Sequence, residues 1–545
     1  MKTKINKIYK TIALISYCLL GIGFASCNDT WNEHYEGATD GGISLWEAIT
    51  ANSDLSNFAR VAQSAGYDHI LSSDQTYTVF APSNASFTSQ EAEALITSYN
   101  EQAARGVRND ENTVIRRFLK NHIALYRHPV SSITDETLTL MNSKYAHISA
   151  TEISGLSLTS KNIGCRNGQL FTISSKLDYV PNVFEALDMT EGLDSVYQFL
   201  ASHNTYEFQE AESVPGEIID GVTHYLDSVT YLRNDLMQKY GEISSEDSTY
   251  WFVVPTNDVW SELTAKYAPY FNYPNNVAGS DSMAYTNTRL AIIGGAFFSC
   301  TNNPDAAVSD SVRSTQAVTE LLRSVLNIDK NYYVYQRPFD EGGIFAGTTT
   351  VECSNGRVFK APTWNFAAEN TFMQTVSVEA EAVSSQDTIV NAVSPLTTVE
   401  VVSSNQFYKQ ISMGGYVEVI PTNPSARVAV GFMIPNLLSD IKYNIYAVFV
   451  PATAGDPLAT AETTKPLRVL SRVRQADQNG VISSPPFRYA RNVDGTKVDE
   501  VLLQSNVRLN TCSWGLDNPV VRLELQSNTD GATLRIDRVI FRPAE

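Results

Sequence analysis

Seven histidines, six cysteines and a surplus of carboxylates are the residues that chemistry would draw on here, and their spacing argues against most of it. The last histidine is His224, so everything after it lacks an imidazole base or ligand. His122 and His128 fall on different faces of a helix, which is wrong for a metal pair. No cysteine lies in a C-x-x-C pair, which removes zinc-ribbon and thioredoxin chemistry. The chain has no G-x-S-x-G elbow, no H-E-x-x-H helix and no Walker loop. With 59 acidic side chains, choosing two as a glycosidase pair would be arbitrary. The expectation is no catalytic residue, no metal and no cofactor.

Residues suited to recognition are easier to name. Trp514 stands in the turn-rich stretch Cys512–Asn518, where an indole offers a flat stacking face. Asp517 and Asn518 follow it and could pair with hydroxyls. Phe487, Tyr489 and Tyr408 lie in or near other loops of the same region. Two readings stay open for each ring. Exposed, it stacks on a ligand; buried, it plugs the end of a sandwich. The ligand would be a glycan or a peptide.

The first 26 residues carry a basic head, Lys2, Lys4, Lys7 and Lys10, then an apolar run from Thr11 to Phe24. That order reads as a secretory signal peptide and not a spanning helix. Phe24-Ala-Ser-Cys27 resembles a bacterial lipobox, although Phe24 replaces the usual Leu. The resemblance implies cleavage before Cys27, lipidation of its thiol and anchoring without a transmembrane segment. Residues 27–42 form a tether with Asp29, Glu33 and Glu36. It is similar to the acidic tethers that place Bacteroidota lipoproteins on the outer face of the outer membrane. A solvated linker is the plainer reading of the same residues.

The net charge is −19, and removal of the four leader lysines makes it −23. Such a surface repels nucleic-acid phosphates, so no nucleic acid is expected as a partner. The length supports about three or four domains. Cys165 and Cys353 occupy equivalent repeat positions and read as small buried residues.

The repeat sets the architecture. TVFAPSNASF at 78–87 is followed by CRNGQLF at 165–171; FVVPTN at 252–257 is followed by CSNGRVF at 353–359. A signature recurring in the same order marks tandem related domains. Helices are expected over 44–65, with Asp54 capping the second, and over 88–104 and 111–126. Strands are expected at 76–81, 146–153, 156–159 and 169–173, with Asn167-Gly168 as a hairpin turn. The class is α+β. The two motifs of the first copy resemble the signatures of the fasciclin domain, and His122 matches its central histidine. In the second copy the residue at the corresponding spacing is Gly295. The resemblance implies fasciclin domains, each a β-wedge with packed helices, at 43–182 and 183–366. The second carries an insertion over 208–247, with a helix expected at 218–240. A lone histidine such as His122 is more often a hydrogen-bonded structural residue than a ligand.

From about residue 367 the pattern turns to alternation. Strands are expected at 376–383, 416–420, 427–434, 443–450, 467–474, 520–526 and 533–541, with Asn479-Gly480, Asp494-Gly495 and Asp530-Gly531 as turns. This reads as an all-β sandwich or jelly roll over 367–545. Leu534–Phe541 resembles the closing strand of galactose-binding-like jelly rolls. That resemblance implies recognition through loops at one end.

Together these features imply a surface-anchored, non-enzymatic lipoprotein. The leading expectation is an accessory ligand-binding or assembly subunit of an outer-membrane SusC/SusD-like nutrient-import system. A fasciclin-type adhesin is the alternative, and a glycoside hydrolase comes third.

Overall fold

Each pair of signatures folds into the same motif, a buried strand (only Tyr250, at the start of the second copy's, is partly exposed) lying parallel to a second one. The computed structural model describes residues 42–128, 135–219, 221–301, 310–318, 330–459 and 467–544. Cys27 and the acidic tether lie outside these residues. The chain separates into two units, residues up to 180 with 205–233, and 181–204 with 234 onward.

In the first unit, α1 (Leu45–Ala51) starts at a reciprocal cap between Ser44 and Glu47. Then come α2 (Ser56–Ser64), α3 (Tyr67–Ser72), β1 (Tyr77–Pro82) and α4 (Ser89–Ala104). The strands that follow are β2 (Ile123–Leu125), β3 (Asp135–Thr139), β4 (Tyr145–Ser149), β5 (Glu152–Ile153), β6 (Leu156–Cys165) and β7 (Gly168–Ile173). They form one sheet in the order β2-β1-β7-β6-β5-β4-β3. β1 runs parallel to β7, from Tyr77 opposite Gly168 to Pro82 opposite Ile173. Phe58, Val79, Phe87, Leu119 and Leu170 are among the core residues between helices and sheet.

Three expectations here need correction. Asp54 does not cap a helix; the Asn52 side chain accepts from the Asp54 N–H at 3.1 Å and holds a 3-10 turn, Ser53–Leu55. The stretch 111–126 is not one helix. It is a π-turn (Ile115–Leu119), a 3-10 turn (Lys120–His122) and then β2, because β1 takes an antiparallel partner on its free edge. Strand 146–153 is broken into β4 and β5.

The insertion of the second copy is mostly strand. β8 (Asn204–Phe208), β9 (Val214–Ile219), β10 (Val222–Asp227) and β11 (Thr230–Asn234) precede the short α5 (Asp235–Tyr240). The expected helix at 218–240 is therefore wrong over most of its length. β9 and β10 pair across a turn at Gly221, whose φ of 79° favours glycine, and the segment is rich in β-branched and aromatic residues. Within the first unit the insertion meets the loop after α4. Thr230 donates to Asp110 at 3.0 Å, and the Arg108 guanidinium lies over the Tyr206 ring.

In the second unit, helices Val183–Met189 and Asp194–Ala201 take the places of α1 and α2. β12 (Tyr250–Pro255) follows, then helices Asn257–Tyr267 and Ser280–Ile293. The strands after them are β13 (Phe297–Ser299), β14 (Ser311–Arg313), β15 (Val334–Gln336), β16 (Thr349–Cys353) and β17 (Gly356–Ala361). β12 lies parallel to β17, from Tyr250 opposite Gly356 to Pro255 opposite Ala361, the same register as in the first copy. Gly356 and Gly168 are obligatory for a shared reason. A Cβ would stand 1.8 Å from the Tyr250 carbonyl oxygen in one copy and 2.0 Å from that of Tyr77 in the other.

The all-β region joins the second copy in the same unit. Its strands are β18 (Val376–Glu379), β19 (Gln386–Val390), β20 (Thr397–Glu400), β21 (Gly415–Val419), β22 (Ala429–Met433) and β23 (Lys442–Phe449). They continue with β24 (Leu467–Gln475), β25 (Arg488–Val493), β26 (Asp499–Arg508), β27 (Val521–Ser527) and β28 (Leu534–Pro543). One sheet runs β20-β21-β28-β23-β26, with β18 also on β28; the other runs β19-β22-β27-β24-β25. Val417, Phe432, Ile445, Leu525 and Phe541 are among the core residues between them. β19, β20, β25 and β26 were not expected, and β18 ends before Val383. The fold class is thus two α+β domains that repeat one parallel strand pair, followed by an all-β sandwich.

Candidate functional site

The signature residues hold backbone. Asn167 is 1% exposed; its Oδ1 accepts from Leu45 N–H at 2.8 Å, and its Nδ2 donates to the carbonyls of Leu71 at 2.9 Å and Ser73 at 2.7 Å. Asn355 repeats all three bonds, to Val183 N–H at 2.8 Å and the carbonyls of Ile243 at 2.9 Å and Ser245 at 2.7 Å. Asn84 and Asn257 also match, each accepting at 3.1 Å from a helix-start amide, Asn57 or Ser195. His122 is fully buried. Nδ1 faces the Phe118 carbonyl at 2.8 Å, and Nε2 accepts from Leu177 N–H at 2.9 Å. That geometry fixes a neutral ring with its proton on Nδ1, and burial holds its pKa down to about 4. At Gly295 the second copy instead presents a carbonyl that accepts from the Tyr335 hydroxyl at 3.0 Å.

The residues singled out for recognition stand on three separate stretches of the sandwich. Tyr408 sits in a short 3-10 turn between β20 and β21 and is 38% exposed. Phe487 precedes β25 and lies over the Arg472 guanidinium at 4.3 Å. Tyr489, on β25, is 53% exposed with a φ of 60°. Asp517 and Asn518 are exposed. Trp514 is half-buried and meets Phe271 of the second fasciclin copy edge-on at 6.2 Å. The described cysteines, Cys165, Cys300, Cys353 and Cys512, are free thiols.

Trp514 marks a hydrogen-bonded seam that joins the sandwich to residues 269–275. The Ser439 hydroxyl donates to the Pro269 carbonyl at 2.8 Å and accepts from Asn272 N–H at 3.0 Å. Asn272 Nδ2 donates to the Asn510 carbonyl at 2.9 Å. Gln478 Nε2 donates to the Tyr273 carbonyl at 2.8 Å and to Asn275 Oδ1 at 3.0 Å. The Tyr273 hydroxyl donates to the Trp514 carbonyl at 2.9 Å. Beside this seam opens a cleft of about 570 Å³. Its walls come from residues 268–284 of the fasciclin copy and from sandwich residues near 439, 478 and 508–510. No single-sequence signal links these stretches; only the folded chain brings them together.

A second polar cluster lies inside the sandwich. Asp537 on β28 is fully buried; it accepts from Ser412 N–H at 3.0 Å and contacts Arg538 at 2.5 Å. Burial, with the nearby Glu379 and Glu381 charges, pushes its carboxyl up to about 8 against the pull of Arg538. Burial likewise raises Glu381 to about 7. Among the described residues no group of three or more His, Cys, Asp or Glu side chains is arranged to hold a metal ion. Nor, among them, is any helix long and apolar enough to cross a membrane.

No curated protein matches the chain. Among solved structures, a GH26-CBM35 β-(1,4)-mannanase of Podospora anserina is 17% identical, with a TM-score of 0.19; the match covers 31% of this chain and 28% of that one. A FAS1 domain pair from the insect cell adhesion molecule Fasciclin I is 13% identical over 58% of this chain and 98% of that one, with a TM-score of 0.19. The CBM22-1 xylan-binding domain from Paenibacillus barcinonensis is 12% identical over 31% of this chain and 94% of that one, with a TM-score of 0.21. The family comparison falls on the first copy: residues 53–179 match the fasciclin domain.

Proposed function

We propose that this chain is a non-enzymatic binding protein of the cell surface, held to the outer membrane by a lipid on Cys27. It serves as an accessory ligand-binding or assembly subunit of a SusC/SusD-like nutrient importer. The fasciclin match at residues 53–179 carries the surface-binding part of this reading. The lipobox-like Phe24–Cys27 and the acidic tether support the anchor and the outward face. The same match favours a second reading, an adhesin that joins surfaces without a transporter. Co-purification separates the two. The anchored protein, extracted from outer membranes in mild detergent, brings a β-barrel transporter with it if the first reading holds. Extraction alone, with retained adhesion of whole cells to a matrix, supports the second. Cys27→Ala should release the protein from membranes or leave it unprocessed, and unchanged incorporation of labelled palmitate would defeat the anchor.

A further inference from the structure

We propose that the cleft between residues 268–284 and the sandwich binds a short neutral oligosaccharide. The site is composite, made by the second fasciclin copy and the sandwich together. It rests on the reading of the chain as a surface binding protein. The cleft volume, about 570 Å³, lies inside the range of about 300–1,000 Å³ usual for ligand pockets.

The walls select the chemistry. Asn272, Asn275, Gln478 and Asn510 line the cleft with uncharged amides. An amide offers donor and acceptor side by side, as does a sugar hydroxyl. In three of these residues one arm is spent on the seam: Asn272 Nδ2 on the Asn510 carbonyl, and Gln478 Nε2 on Asn275 Oδ1. The other arms, Asn272 Oδ1, Asn275 Nδ2 and Gln478 Oε1, have no partner among the described residues, and neither does the Asn510 amide. The seam therefore fixes the Asn272, Asn275 and Gln478 amides before any ligand arrives, which lowers the entropy cost of binding, while the Asn510 amide stays free to turn to it.

Other ligand classes fit less well. Arg508, the cation in the lining, is paired with Asp440, and Asp281 adds a further negative charge. No unpaired positive charge awaits a phosphate, sulfate or uronate. Phe271 and Leu509 are each 1% exposed, so they form a floor beneath the polar walls and give no open apolar seat for a lipid or a peptide side chain.

The test is calorimetric titration of the full mature protein with xylohexaose, mannohexaose, cellohexaose and maltohexaose, and with trigalacturonate as a charged control. At least one neutral probe should bind and the control should not. Asn510→Ala should weaken binding tenfold or more with no change in melting temperature, since its side chain holds nothing in the fold. Ala284→Trp should fill the cleft and abolish binding; if that variant melts early, Asn510→Ala decides alone. Binding that persists undiminished in these variants overturns the site but leaves a binding protein with its ligand elsewhere. Preference for trigalacturonate overturns the neutral class. Failure of every neutral probe overturns the inference outright, while transporter co-purification still reads the wider function independently.

Discussion

The twin asparagines give the most direct test of how the fasciclin copies hold together. Asn167→Ala removes three hydrogen bonds at a site 1% exposed. Each contributes about 1 kcal/mol net, and the buried Leu45 N–H left unpaired adds a desolvation cost of about 1–3 kcal/mol. Water can replace the bond to the partly buried Ser73 carbonyl, so the loss should total about 3–5 kcal/mol. That is a large share of the 5–15 kcal/mol typical of a whole domain. The protein has more than one unit, so a single melting curve would blur the effect. Hydrogen exchange resolves it by segment. Peptides over α1 and β7 should exchange roughly 100–4,000 times faster, because about 1.4 kcal/mol is tenfold. Asn355→Ala should do the same to residues 183–189 and β17. Asn167→Asp is a sharper control. A carboxylate keeps the acceptor for Leu45 but sets oxygen against the Leu71 and Ser73 carbonyls. It should therefore destabilise at neutral pH and recover partly in acid, once a carboxyl O–H can donate. An acceleration under tenfold in Asn167→Ala would refute the clamp.

Three further outcomes are expected. His122, with its pKa lowered from 6.5 to about 4, binds protons in the unfolded state first. The first fasciclin domain should thus lose roughly 3 kcal/mol as pH falls from 6.5 to 4, and His122→Gln should flatten that loss in segment-resolved exchange. Asp537, raised from 3.8 to about 8, works in the opposite sense. Its stabilisation is full below pH 3.8 and fades as pH rises through about 8, so the sandwich should weaken on the order of a few kcal/mol across that window. Asp537→Asn should flatten most of that loss and leave the smaller part that Glu381, raised to about 7, contributes. Phe252→Ala, which unstacks Phe297 at 4.0 Å in a fully buried site, should cost about 3–5 kcal/mol in the second copy by denaturant titration.

What the sequence reveals depends on the range of the interaction. Asn167-Gly168 and Asn355-Gly356 are legible because a tight turn writes its requirements into adjacent residues. The sandwich strands are legible where alternation is long, as in β27, and lost where strands are short or irregular, as in β19 and β20. The false helix at 218–240 arises because apolar residues spaced three and four apart also satisfy a run of short strands. Only the β-branched content and Gly221 distinguished the two. Ile123 and Leu125 fit the helix expected over 111–126 for the same reason, although they form the edge partner of β1. Trp514 shows a different limit. Its partner Phe271 is far away in sequence, so the choice between open platform and packed ring was undecidable from local pattern.

The seam changes how the sandwich must be handled. Residues 367–545 alone would leave Ser439, Gln478 and the Trp514 carbonyl without the partners that residues 269–275 supply. They would also strip Phe372 of its contact with Tyr267 at 4.9 Å. An excised sandwich that binds nothing is then uninformative about the intact protein. The two copies share their clamp and differ elsewhere. Asn355 and Gly356 still fasten the parallel strand pair, so the wedge of the second copy survives without a central histidine. The stretch from 268 to 284 lies outside that strand pair. It is the stretch that bonds the sandwich and walls the cleft. In the first copy His122 ties Phe118 to Leu177 and occupies the interior with structure alone. Shared contacts thus hold two similar scaffolds, and the proposed oligosaccharide cleft falls where the second departs from the first.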